Sequence, residues 1–268
     1  MKMGRYDESI KSYQKALEIN PNFVASHIGI ATNLNFKGDH NGARKQLEQL
    51  YRIARNDGER RAAHFAKTVS YVDEGNMDKA MEEQKKQFVL AEKIDDAAAM
   101  AGDLTTMGNI LLESGKPDEA LTKYTKALEI VEGSNLSEEV KDNTRRGYLF
   151  NAARAALGKG DLKTARVKAH EYRKEVEAIN NPFLIRLAHQ LQGMIALEQK
   201  NYNAALSELK QANLQNPHNH YRMALAYKGM DDTVQAKEAC RMSAEFNALN
   251  NLQQSFSKSK ALKMLELI

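Results

Sequence analysis

Apolar and small residues recur along this chain at helical spacing, in blocks separated by short polar turns. Ala120, Tyr124 and Ala127 share one face, and Leu104, Met107, Gly108 and Leu111 share the face of the block before it. The break between them is Gly115-Lys116-Pro117. Residues three and four apart lie on one side of an α-helix, so each block predicts an amphipathic helix. The arrangement repeats. Ser9, Tyr13 and Ala16 run into Pro21, and Ala205, Leu209 and Ala212 run into Pro217. Ala43, Leu47 and Leu50 follow Gly38, Ala80 follows Gly75, Ala165 follows Gly160, and Ala236 follows Asp231-Asp232. These are seven second helices in order, six of them with a first helix before them.

Packing distance explains the choice of residues. A small residue such as Ala120 lets two antiparallel helices approach, and Tyr124 fills the space one turn on. The turn glycines stand where the chain must leave one helix and reverse. Asp39, Asp78, Asp118 and Asp161 suit the start of the next helix, by capping it or by favouring its dipole. Between successive small residues the separations are 34, 37, 40, 45, 40 and 31. The hydrophobic period continues through the surplus, so the middle helices are expected to be long: one over Asp78 to Ile94 and one over Ser137 to Leu157. A deeper groove is expected there.

From Ala101 to Ser134 the chain resembles a tetratricopeptide repeat residue by residue, with Leu104 where that family usually has tryptophan and Glu132 where it has proline. The family repeat is 34 residues long. The resemblance implies an all-α, right-handed α-α superhelix of about six full repeats, with an N-terminal half repeat and a C-terminal capping helix. The repeats fall at 1–23 (half), 24–57, 58–94, 95–134, 135–181, 182–216 and 217–249, with the cap at 250–268. It further implies a non-enzymatic scaffold, expected to be bacterial, whose first helices line a concave groove that binds a protein or peptide segment. Carried onto this sequence, the groove wall is Phe65 and Val69, then Thr105 and Asn109, then Phe150, Asn151 and Arg154, then Leu187, Gln190 and Met194, and last Tyr221 and Arg222. Amides on such a wall can bond both donors and acceptors of an extended backbone, and Arg154 can fork onto a carboxylate. Each residue has a plainer reading as packing between repeats. Enlarged repeats also occur in bacterial regulators that enclose a signal, so a sensor domain for a small molecule or signalling peptide is the alternative. The carboxylate clamp of chaperone-binding members is missing, since Ile28, Gly29, Thr32, Phe65, Ala66 and Val69 stand at its places.

Composition narrows the chemistry. Residues 1–134 hold 19 Lys/Arg against 21 Asp/Glu, and the remainder holds 20 against 14. The basic half is compatible with an acidic partner, but its plainer reading is a solvated surface of mixed charge. Lys163, Arg166, Lys168, Arg173 and Lys174 are diluted by Glu171, Glu175 and Glu177 and lack interleaved aromatics, so nucleic acid is not an expected partner. A single cysteine, Cys240, rules out an internal disulfide framework. His170-Glu171 begins a zinc-protease motif, but Lys174 replaces the second histidine, and His218 and His220 read as a solvated turn. Phosphate-loop and nucleophile-elbow patterns are missing, and the expectation is no catalysis, no cofactor and no metal. No apolar run approaches the ~20 residues of a membrane span, so membrane insertion is not expected and a cytoplasmic location is the default.

The chain starts inside a repeat, with Ile10, Tyr13 and Leu17 on a second helix that has no partner. The expectation is truncation, which leaves localisation open, or self-association through that uncapped helix. At the other end Leu252, Phe256, Leu262 and Leu265, with Lys258, Lys260 and Lys263 between them, predict an amphipathic cap over the last repeat.

Overall fold

Pairs of antiparallel helices, each closed by a tight turn, make up the structure. The computed structural model describes residues 4–268 and is 81% helical, with 14 helices and no strand among those residues. A single helix α1 (Tyr6–Ile19), packed on α2, comes first. The pairs are α2 (Val24–Phe36) with α3 (His40–Ile53), α4 (Asp57–Glu74) with α5 (Met77–Lys93), and α6 (Ala97–Glu113) with α7 (Pro117–Glu132). They continue as α8 (Glu138–Gly158) with α9 (Leu162–Ala178), α10 (Pro182–Glu198) with α11 (Tyr202–Gln211), and α12 (Pro217–Gly229) with α13 (Thr233–Ala244). A last helix, α14, spans Leu252–Leu267. The pairs stack as the α-α superhelix of tetratricopeptide solenoids. The expected long helices are present: α5 has 17 residues and α8 has 21. Among the described residues, no helix is long and apolar enough to cross a membrane.

Local chemistry fixes the boundaries. The Asp39, Asn76, Asp96, Ser137, Asp161, Asn181 and Asn201 side chains each accept a backbone N–H of the first turn of the helix they precede. Such caps satisfy donors that the helix itself cannot. Asp78 and Asp118 sit inside the first turn and act on the dipole instead. At the turn within each pair, one residue takes a left-handed conformation five positions before the small residue of the second helix. In α4–α5 it is Gly75, with φ 87. In the last two pairs Lys200 (φ 57) and Asp231 (φ 58) hold that conformation with a side chain.

The core is a series of thin layers between neighbouring helices. Ala120 and Tyr124 are buried with Leu111, and a Cβ placed on Gly108 would meet the Tyr124 ring at 2.3 Å. Glycine at 108 is therefore what allows α6 and α7 their separation. Cys240 is buried among Ala224, Ala236, Ala239 and Ala261, as a small apolar group. In α1 no residue is fully buried, Ile10, Tyr13 and Leu17 are half-buried, and Ile19 is exposed. Tyr13 lies against Gly29, and the Tyr6 hydroxyl donates to Asn247 Oδ1 at 3.2 Å, in the connector between α13 and α14.

The last helix caps the array and also does something the hydrophobic pattern did not foretell. Ala261 and Met264 pack onto α12 and α13 and close the last repeat. Leu252 and Phe256 pack with Val72 of α4, Ala80 of α5 and Ile110 of α6. Helix α14 therefore crosses from the end of the superhelix to its first half.

Candidate functional site

The first helices α6, α8, α10 and α12 bring some of their polar side chains into two clusters. In the first, Arg154 Nη1 donates to Asn109 Oδ1 at 2.7 Å and to Asn151 Oδ1 at 3.0 Å. The Tyr124 hydroxyl donates to the same Asn109 oxygen at 3.1 Å. The Arg154 guanidinium lies 5.7 Å from the centre of the Phe150 ring, and its buried Nε has no partner. In the second cluster, Gln190 Oε1 accepts from Asn216 Nδ2 at 3.3 Å and Asn219 Nδ2 at 3.2 Å, and Arg222 Nη1 donates to Asn219 Oδ1 at 2.8 Å.

The structure thus brings together Asn109, Asn151 and Arg154, and separately Gln190 and Arg222. Of the remaining expected wall residues, only Phe150 touches a cluster, through the Arg154 guanidinium over its ring. Phe150 stacks against Tyr172 with ring centres 5.6 Å apart, and Leu187 packs beside it on the α8–α10 core. Tyr221 packs on the last-repeat core. Val69 is buried, and Phe65 and Met194 are half-buried. The Thr105 hydroxyl bonds Ala101 O of its own helix, and Thr105 and Asn151 line a cavity of about 230 Å³ between α6, α7 and α8.

A third group, missed in the sequence, joins the clusters to α14. Lys260 Nζ is paired with Glu113 Oε2. Lys258 Nζ reaches Asp73 Oδ2 at 3.2 Å and stands 5.6 Å from the Phe36 ring centre. His40 Nε2 meets the same Asp73 oxygen at 3.0 Å. The Asp73 and Glu113 side chains are only 4% and 9% exposed. Their place was readable: both stand in the last turn of a helix, where a negative charge opposes the dipole and needs an outside cation.

Charge in this region is finely set. Burial alone would raise the Glu113 carboxyl, but His218, Lys260 and Arg154 outweigh it and hold it down to about 2. His218 is itself lowered to about 3, by burial first and by Arg222 next. At neutral pH that imidazole is therefore uncharged, and the cations that keep Glu113 ionised are Lys260 and Arg154. Arg222 is lowered to about 10 by burial and by Arg154, and stays charged. His218 Nδ1 lies 4.0 Å from Glu113 Oε1, too far for a hydrogen bond, and has no other partner. The solvated turn expected at His218 and His220 is corrected here. Both are buried in the first turn of α12, because Pro217 starts a helix there rather than ending a loop, and His220 Nε2 bonds Leu214 O at 2.9 Å. Among the described residues, His, Cys, Asp and Glu form no group of three or more able to hold a metal.

Comparison with known proteins agrees with this architecture. The tetratricopeptide repeat matches residues 1–23 and again residues 104–138. The chain contains tetratricopeptide repeats. A tetratricopeptide repeat and J domain-containing co-chaperone, DNJ1 of Cryptococcus neoformans, is 29% identical over 147 residues. That match takes in 52% of this chain and 27% of the co-chaperone, so the chain spans about a quarter of that relative. Among solved structures, a tetratricopeptide repeat protein from Parabacteroides merdae is similar over 98% of this chain and 91% of its own, at a TM-score of 0.58 and 11% identity. The apo form of RapI is similar over 97% and 93%, at 0.59 and 13%. The Rap conjugation gene regulator of plasmid pLS20, in complex with the Phr* peptide, is similar over 98% and 72%, at 0.58 and 14%. At these identities the likeness is one of fold.

Proposed function

We propose that the chain is a non-enzymatic scaffold that takes a protein or peptide segment into its concave groove. The observation that carries this reading is α14, a peptide segment held by one buried aromatic side chain and two lysine–carboxylate pairs. Beside it, Asn109, Asn151 and Arg154 present amides and a guanidinium whose Nε is unpaired, groups that suit the backbone and carboxylates of a bound segment. Peptide-display selection against the whole chain tests the reading, followed by fluorescence anisotropy with Asn109→Ala, Asn151→Ala and Arg154→Lys. Selected peptides are expected to bind these variants at least about ten times more weakly at unchanged helical signal, about 1.4 kcal/mol. Binding indifferent to all three substitutions moves the site off the groove, and a selection that yields nothing removes the reading.

A second reading, a sensor enclosing a small signal, draws on a different observation. Arg154, Arg222, His218 and the Glu113 side chain are all nearly closed off from water, which supports a buried centre over an open channel. The pLS20 Rap regulator, similar in fold, was solved with a peptide bound. A ligand that raises the melting temperature of the whole chain and loses that effect in Arg222→Lys, with the display-selected peptides unaffected, would favour it over the scaffold.

A further inference from the structure

Phe36, Asp73 and Glu113 occupy one repeating position, seven residues ahead of Ala43, Ala80 and Ala120. On three successive first helices they form a ledge at the helix ends, and α14 is seated on it. Lys258 covers Phe36 and Asp73, Lys260 meets Glu113, and Phe256, 2% exposed, enters between Val72 and Ile110. Two carboxylates at the wrong ends of their helices, nearly shut off from water, must have cations beside them. His40 and Arg154 supply part of that charge from within the array, and Lys258 and Lys260 supply the rest, so a basic segment is what suits this ledge.

The seat is also built differently from the permanent layers. Around Phe256 the buried face of α14 is Gln254, Ser255 and Ser257. Gln254 Nε2 donates to the carbonyls of Ser243 and Ala244, but its buried Oε1 has no partner. Lys258 and Lys260 keep 21% and 40% of their side-chain surface in water. A polar contact with exposed cations is characteristic of surfaces that exchange. The connector that would let α14 swing is irregular, and Asn247 and Asn250 hold φ of 53 and 48 in it.

We propose that the ledge of Phe36, Asp73 and Glu113, with the apolar slot of Val72 and Ile110, is a binding site for a basic helix of a partner protein that carries an aromatic residue followed by basic residues two and four positions on, and that α14 fills this site in cis until such a helix displaces it. The inference rests on the reading of the concave face as the binding surface, and specifies the class of ligand for one part of it.

The test uses the full chain and a fluorescein-labelled synthetic peptide of residues 251–268 as the probe. Lys258→Glu with Lys260→Glu, placed in the chain but not in the peptide, sets α14 against the ledge. This variant is expected to bind the peptide at least ten times tighter than the unsubstituted chain, with faster amide exchange in α14 and unchanged protection in α6. Adding Asp73→Lys and Glu113→Lys restores the pairs with reversed polarity. That quadruple variant is expected to protect α14 again and to lose the peptide. Equal peptide binding by all three chains overturns the proposal, as does an α14 that stays protected in the double variant. A dimer in which α14 is exchanged between copies, seen by light scattering, would assign the ledge to a second copy and also overturn it. Display-selected ligands that the peptide fails to displace would defeat this inference and leave the scaffold reading standing. A peptide that binds as expected when selection yields nothing would do the reverse.

Discussion

The α6–α7 contact and the seat of α14 both bury one aromatic ring, yet they are different kinds of interface. Between α6 and α7, Tyr124 fits against Gly108 and is surrounded by Leu111 and Ala120. At the seat, Phe256 has Val72, Ala80 and Ile110 on one side, and its own neighbours are serine, glutamine and lysine. The first contact is held by fit, which falls off steeply with displacement. The second adds two lysine–carboxylate pairs to its apolar contact, and those pairs depend on solvent, salt and pH. Under the proposed exchange, the layers stay fixed while the last helix responds to conditions.

Tyr124→Ala should cause the largest loss, about 3–5 kcal/mol, in line with removal of a buried aromatic from a core. The loss should appear in the chemical-denaturation midpoint of the whole chain. Phe256→Ala should instead speed amide exchange in α14 and move that midpoint far less. Equal shifts from both would mean that α14 belongs to the same cooperative unit as the layers. Ala120→Leu comes next. Overpacking of the α6–α7 layer should cost about 1–3 kcal/mol, and a neutral result would break the assigned repeat register.

Acid should separate the two regions further. In the unfolded chain His218 takes up its proton near 6.5 and Glu113 near 4.5, whereas in the fold they wait until about 3 and about 2. The unfolded chain then binds more protons across both windows. Stability is lost as pH falls from 6.5 toward 3 through His218, and again from 4.5 toward 2 through Glu113. The melting temperature should decline already between pH 6.5 and 4.5, and His218→Asn should flatten that part of the curve. An unaltered slope in the variant would remove His218 from the account. The smallest effect is expected at a turn. Lys200→Gly, at the position where four other repeats have glycine, relieves a left-handed backbone and should stabilise by about 0.5–1 kcal/mol, read from the melting curve.

The layers were legible because each follows from residues close in sequence. Gly108, Ala120 and Tyr124 are spaced so that helix geometry alone brings them together, and the same holds for Gly29 with Tyr13. The groove was legible only in part. Asn109 and Arg154 meet because the repeat places them at matching points of successive first helices, 11 residues ahead of Ala120 and Ala165, and Asn151 joins them from one turn earlier on α8. The path of α14 was hidden, since a cap and a strut share one amphipathic pattern and Phe256 reads the same in both. Asp73 and Glu113 carried the missing information in the direction of their helix dipoles rather than in any motif.

The span of the α14 contacts has a kinetic consequence. Lys258 and Asp73 are 185 positions apart, and Lys260 and Glu113 are 147 apart. Apart from the Tyr6–Asn247 hydrogen bond, the other layers join neighbours along the chain, so a solenoid of this kind can grow pair by pair as it leaves the ribosome. The ledge is then complete, with its carboxylates uncovered, well before the segment that will cover it has been made. Each newly synthesised molecule passes through an interval in which the groove stands open, and closure waits for the slow, long-range search that high contact order imposes. A basic helix present during that interval would meet the ledge before α14 does.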